Sequence, residues 1–301
     1  MEIIHCLNHA IEYIEEHLDD AVEVDDIAKA AFMSRYHFQR MFYALTGFTL
    51  AEYIRNRRLT LAGEELSMKE AKVIDVAMKY GYDSPDAFTK AFQRLHGITP
   101  SKIRLGNVRL KAFPKLSFQI SVKGECEMNY RIVEKEAFRF FGVGFITSTV
   151  DNACYQEIPD FCDKIWEDGT HQKMNEFLGY SRMHMLQGIH SDFKEDGSRI
   201  YMMGWEVPDG VSNADVPKEY TVLDVNALTW AVFEGKGEMP QGLAIHDVWR
   251  RIYAEWFPSS GFEQVEGPCI EKHYWDDEVC VKYTCEVWIP VKRKEKAGER
   301  I

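Results

Sequence analysis

Tyr36, Gln39, Arg40 and Tyr43 are spaced i, i+3, i+4 and i+7, so a helix through them carries four polar side chains on one face. Fifty residues further on, Asp86, Thr89, Lys90 and Gln93 repeat that spacing. Such a face suits the major groove of double-stranded DNA, where Gln addresses adenine, Arg or Lys addresses guanine, and Thr meets the thymine methyl. Taken singly, each residue is as readily a solvated surface group. A duplicated face flanked by basic residues is harder to explain in that way.

The elements that must hold these faces also repeat. Ile27, Ala28, Ser34, Phe38, Phe42, Leu45, Gly47 and Thr49 match Val76, Ala77, Ser84, Phe88, Phe92, Leu95, Gly97 and Thr99. Two copies of one supersecondary unit are implied, at about 24–47 and 73–97. Each copy opens with a short helix, turns, restarts at a serine able to cap the next helix, and stops at a glycine. Phe38, Met41, Phe42 and Leu45 make the buried stripe of the first reading helix, and Phe88, Ala91, Phe92 and Leu95 that of the second. Between the copies, 50–67 reads as a helix with Thr49 and Glu52 as a capping box. At roughly 25 Å it can hold two reading heads near the ~34 Å spacing of successive major grooves. Arg55, Arg57 and Arg58 on this connector suit phosphate, or alternatively ion pairs with Glu64 or the acidic first helix.

A second chemistry lies near the C-terminus. The strand VKYTCEVWIPV alternates Val281, Tyr283, Cys285, Val287 and Ile289 with Lys282, Thr284, Glu286 and Trp288, which places an acid beside an indole. A carboxylate in an apolar strand is costly unless paired, and with aromatic neighbours it suits a cationic or polar ligand. Its surroundings repeat as well: Tyr130, Val133, Ala137 and Phe138 match Tyr220, Leu223, Ala227 and Leu228, and 201–208 matches 283–290, with Gly204 opposite Glu286. Strands are predicted at 128–135, 137–146, 182–190, 199–207, 219–225, 227–235, 268–274 and 279–291, with helices at about 153–168 and 241–257. The fold class expected is an all-α double helix-turn-helix domain followed by an α+β domain with an antiparallel sheet built from two related halves. The boundaries are 1–106 for DNA binding, 107–127 as linker, 128–292 for the second domain and 293–301 as a charged tail.

Composition limits the alternatives. The 301 residues are 46% hydrophobic and 28% charged, which is globular. The net charge of −12 conceals two basic packets in the first third: six Lys and Arg against Glu52 alone over 27–63, and six with no acid over 87–111. After residue 110, 32 acids outweigh 22 bases, so that part faces a different partner. Seven scattered cysteines without a C-x-x-C pair argue against a zinc site or a disulfide framework. No apolar run approaches membrane-spanning length and the N-terminus lacks a leader pattern, so the cytosol or nucleoid of a bacterium is expected and no membrane partner. There is no G-x-S-x-G, H-E-x-x-H, Walker or G-x-G-x-x-G motif, and His184 and His190 lack a third metal ligand; neither an enzyme, a metal site nor a cofactor is expected.

The pattern D-x-I-A, S-R-Y-H-F-Q-R-M-F, G-F-T, then V-I-D-V-A, G-Y-D-S, F-T-K-A-F and G-I-T-P resembles the double helix-turn-helix domain of AraC/XylS-family transcription regulators over about 3–106. By that resemblance Tyr36, Gln39 and Arg40, and then Thr89 and Lys90, fall at base-contacting positions. The full set of candidate DNA contacts is Arg35, Tyr36, Gln39, Arg40, Tyr43, Arg55, Asp86, Thr89, Lys90, Gln93 and Arg94. Pro85 and Asp86 depart from the pattern, and an acid facing the groove accepts only from cytosine N4 or repels phosphate. From Met128 to Lys292, W-R-R-I-Y-A-E-W-F-P and C-E-V-W-I-P-V resemble the gyrase-inhibitor-like effector-binding domain of multidrug-sensing regulators. The resemblance implies a cleft between the halves with Glu286 as its acid, and Trp205, Tyr253, Trp256, Tyr274 and Trp288 are the candidate walls. The partners it implies are DNA, an amphipathic, cationic or aromatic effector, and RNA polymerase. The alternatives are a hydrolase using Glu286 with an aromatic hydroxyl, and a ligand-free DNA-architectural or gyrase-interacting protein.

Overall fold

The computed structural model describes residues 2–68, 71–105, 108–118, 127–150, 153–181, 183–238, 243–276 and 280–294. By their internal contacts, 1–39 and 49–122 form one compact unit and 40–48 and 123–301 form another. Cys126 and most of the predicted 293–301 tail lie outside the described residues.

The helices in chain order are α1 (Glu2–Glu16), α2 (Val24–Ala30), α3 (Arg35–Thr46), α4 (Leu50–Leu66), α5 (Val73–Lys79) and α6 (Pro85–His96), followed by a 3-10 turn at Pro100–Leu105. Their ends follow the sequence signals. The Ser84 hydroxyl accepts from the Ala87 N–H, Pro85 occupies the first turn of α6 where its missing donor costs nothing, and Gly97 stops the helix at φ 77°. Thr49 and Glu52 close a reciprocal capping box, each side chain accepting from the other's backbone N–H at 3.2 and 2.8 Å. Phe38, Met41 and Phe42 are fully buried, as are Phe88 and Phe92. The latter pair pack with Leu59, Ala62 and Leu66 of α4 and Val76 and Ala77 of α5.

The second unit runs β1 (Tyr130–Lys135), β2 (Phe138–Ser148), α7 (Cys154–Glu167), α8 (Thr170–Phe177), β3 (Gln187–Ser191), β4 (Ser198–Glu206), β5 (Thr221–Val225), β6 (Leu228–Glu238), α9 (Leu243–Arg251), β7 (Phe262–Gln264), β8 (Cys269–Trp275) and β9 (Lys282–Arg293). A π-helical turn at Ile252–Trp256 prolongs α9. The strand order is β1-β6-β9-β8-β3-β4-β2-β5, with β7 against β9 and every pairing antiparallel. Exchanging the two halves reverses this order onto itself. The opening strand of each half is traded: β1 pairs with β6 and β5 with β2.

Directly opposed residues of antiparallel strands share a face, which sorts the sheet. On one face Val232, Trp288 and Ile270 stand abreast, Ile270 opposes Ile189, and Ile189 opposes Met202. With Phe140, Val225 and Trp230 they form a buried cluster. The helices lie on the other face. A Cβ on Gly235 would stand 2.5 Å from Val248 of α9, Phe161 of α7 packs on Phe145 at 4.5 Å between ring centres, and Phe177 of α8 on Phe141 at 5.4 Å. Helices α7 and α8 thus cover the first half and α9 the second, with the middle strands β3 and β8 between them.

Burial lowers the pKa of His96, His171, His190 and His273 below the ordinary histidine value. These rings are neutral in the fold and take up protons more readily when unfolded. Their contribution is therefore whole above about pH 6.5 and is lost as pH falls from there toward the depressed folded values. Melting midpoints should drop between about pH 7.5 and 5.5, and an unchanged midpoint would contradict this.

Candidate functional site

The second repeated face is open. On α6, Asp86, Lys90, Gln93 and Arg94 are exposed and Thr89 is half-buried, with Phe88 and Phe92 turned inward. The first face differs: Arg35, Tyr36, Gln39, Arg40 and Tyr43 are all half-buried, Arg35 reaches Asp25 at 3.3 Å, and Arg40 and Tyr43 group with the second unit.

Arg55 on α4 is exposed, but its neighbours are not available to phosphate. Arg57 donates to both Glu15 oxygens, Nε at 2.8 Å and Nη2 at 2.7 Å, and through Nη1 to the Phe113 carbonyl at 2.6 Å. Arg58 donates to the Leu18 and Asp20 carbonyls. The phosphate role expected of these two arginines is thereby corrected in favour of the alternative, ties to the first helix and the loop that follows it. Arg57 is buried and Arg58 half-buried, whereas Arg55 is exposed.

In the second unit two acids occupy opposite faces of the sheet. Glu286 opposes Glu234 and Lys272, which places it on the helix-free face. Its Oε1 accepts from Arg131 Nη2 at 2.6 Å and its Oε2 from the Trp288 indole N–H at 2.9 Å. Arg131 and Lys272 stand 5.7 and 4.5 Å from the Trp288 ring centre, and Lys135 pairs with Glu206 at 2.8 Å. Burial, and then the Glu286 charge, push the Tyr274 hydroxyl up to about 12, which leaves it a poor proton donor or base near neutrality.

Glu271 opposes Gly188 and Val287 and so projects on the helix side of β8, between the two helical blocks. The Trp249 indole of α9 donates to Oε1 at 2.6 Å, and His190 Nε2 stands 3.2 Å from the same oxygen, misaligned for a hydrogen bond. Arg199 Nε donates to His190 Nδ1 at 3.1 Å, so the neutral ring carries its proton on Nε2, toward the acid. Burial pushes the Glu271 carboxyl up, whereas the Trp249 N–H, and the charge that His190 and His273 carry when protonated, pull it below its usual range. The Tyr201 ring lies 4.7 Å from His190, and Trp249 and Tyr253 stack in parallel at 6.3 Å.

The expected pocket set is therefore divided. Glu286, Tyr274 and Trp288 share the helix-free face. Trp205 donates to Asn175 at 2.8 Å, Tyr253 donates to Gln264 at 2.6 Å, and Trp256 is wedged among Tyr130, Phe233, Phe257 and Phe262. Glu271 is an acid between the halves on the helix side, and Glu286 lies on the opposite, helix-free face.

Residues 128–292 match the family of the GyrI-like small molecule binding domain, and 27–105 match a helix-turn-helix domain family. The chain belongs to the GyrI-like family. Its N-terminal part is similar to regulatory protein SoxS of Salmonella typhimurium, 45% identical over 94 residues that cover 31% of this chain and 88% of that one. The Tn10 TetD protein of Escherichia coli is 42% identical over 92 residues, covering 31% and 67%. Transcriptional regulator Rob of Salmonella typhimurium is similar across both parts, 25% identical over 296 residues, covering 93% and 96%. The GyrI-like chain is thus an AraC-type DNA-binding regulator carrying a small-molecule-binding domain. Among the described residues no helix is long and apolar enough to cross a membrane, and no group of acids, histidines and cysteines could hold a metal ion.

Glu271, Trp249 and His190 were not legible as a group in the GyrI-like sequence. In CIEKHYW, Cys269, Glu271 and His273 alternate with Ile270, Lys272 and Tyr274, and neither face is apolar enough to mark one side as buried.

Proposed function

We propose that this regulator reads a specific duplex through the exposed face of α6, aided by α3 and the Arg55 side chain, and that an amphipathic aromatic cation binding beside Glu271 alters its output. RNA polymerase is the third partner proposed. The observation that carries the effector reading is a buried carboxyl group on the middle strands, met by an indole N–H and an imidazole rather than by Lys or Arg. Glu286, by contrast, already holds an internal guanidinium, which also weighs against a hydrolase built on it. Stacking surfaces beside one fixed negative charge favour cations of loosely specified shape.

Calorimetric titration with an aryl-trimethylammonium and its uncharged tert-butyl analogue tests this. Glu271→Gln should weaken the cation by about 1–3 kcal/mol, the range for a charged contact, and the neutral analogue far less. Equal losses, or a loss produced only by Glu286→Gln, would remove Glu271 from the site.

A further inference from the structure

The stretch predicted as a linker contains an extended segment clasped along the first unit. Four backbone N–H groups are accepted by side chains of three helices: Lys111 by His96 Nδ1 at 3.2 Å, Phe113 by Thr60 Oγ1 at 3.0 Å, Leu116 by the Tyr53 hydroxyl at 3.2 Å, and Phe118 by Asn8 Oδ1 at 2.8 Å. Two carbonyls are met as well, Phe113 by Arg57 and Phe118 by Asn8 Nδ2 at 2.9 Å. Pro114 has no N–H to place, and Lys115 pairs with Glu12 at 2.5 Å. Gly63, in mid-helix on α4, leaves room for the segment: a Cβ there would stand 3.2 Å from Leu110 Cδ1.

The bound segment therefore passes from α6, the second reading helix, over α4 to α1, which packs on α2 of the first helix-turn-helix. Side chains hold its backbone at these six points, through contacts that are individually weak and reversible. We propose that residues 110–118 are a releasable brace that fixes the spacing of the two helix-turn-helix units and, lying in the connection to the effector-binding domain, sets whether both heads engage one duplex together. This rests on the reading that both heads bind DNA. Two heads held at the right spacing gain from a high effective concentration, and that gain disappears when the spacing is lost.

The full chain is compared with Asn8→Ala/Thr60→Val and, separately, with Gly63→Leu, which crowds Leu110. Affinity is measured for duplexes carrying one selected half-site or two about one turn apart, together with hydrogen exchange of the 111, 113, 116 and 118 amides. Wild type should protect these amides and prefer the two-site duplex. Both variants should expose the amides and lose at least about tenfold of that preference, with single-site binding and helix content kept. Fast-exchanging amides with an unchanged preference would overturn the proposal, as would amides that stay protected in both variants. A wild-type chain with no preference for two half-sites would instead sink the reading that both heads bind.

Discussion

Arg57→Ala should cost the first unit about 3–5 kcal/mol, because it leaves the Glu15 carboxylate buried without its cation. Both side chains are roughly nine-tenths covered, and Glu15 would keep only the Tyr53 hydroxyl at 2.8 Å. The same substitution removes the Arg57 hydrogen bond to the Phe113 carbonyl. For a unit of about a hundred residues this corresponds to a fall in melting midpoint of 10 °C or more. A phosphate-contacting arginine would behave oppositely, leaving the midpoint in place and lowering DNA affinity at every sequence alike. Thermal unfolding of the variant without DNA separates the two cases. Replacing both partners by methionine should recover much of the loss, since removing the whole buried pair is far cheaper than breaking it.

That arginine shows where the sequence ceases to be informative. The duplicated capping serines, stop glycines and aromatic stripes are local signals, and each appears where its spacing places it, from Ser84 to Gly97. The strand boundaries follow alternation closely, with β2, β4, β6 and β8 within three residues of expectation at each end. What alternation does not carry is the hand of each face relative to distant helices. Glu286 sits in a mainly apolar strand and drew attention as a lone acid, yet its partner Arg131 is 155 residues away. Glu271, in a strand mixed on both faces, drew none, because its meaning comes from Trp249 and His190 on other elements. The short α8 and β7 hold too few residues for a period to show, and the 110–118 segment is held at its Lys111, Phe113, Leu116 and Phe118 N–H groups by side chains of other elements, which leave no pattern in its own residues.

The second large effect concerns DNA. The bases Lys90 and Arg94 are exposed on α6, Arg55 is exposed on α4, and the other face of α6 is locked by Phe88 and Phe92 in the core. A chain of net charge −12 that nevertheless binds a polyanion does so through local basic patches such as this one. With six or more phosphate contacts, affinity for a selected duplex should fall by roughly a thousandfold or more between 50 and 200 mM salt. Lys90→Ala should cost about 1–3 kcal/mol and relax preference at one base pair, whereas Arg55→Ala should weaken all sequences equally and reduce the salt slope by about one contact. Asp86→Asn should leave affinity intact or raise it, since an acid at that position opposes phosphate.

Selection of duplexes from a random pool by the full chain, followed by competition between the selected site and bulk random DNA at about 150 mM salt, tests the central claim most directly. A specific regulator should prefer the selected site by at least about a thousandfold, and Lys90→Ala should relax that preference at one position only. Enrichment of no sequence, with equal affinity for selected and random DNA, would contradict a sequence-reading role for the paired helix-turn-helix units.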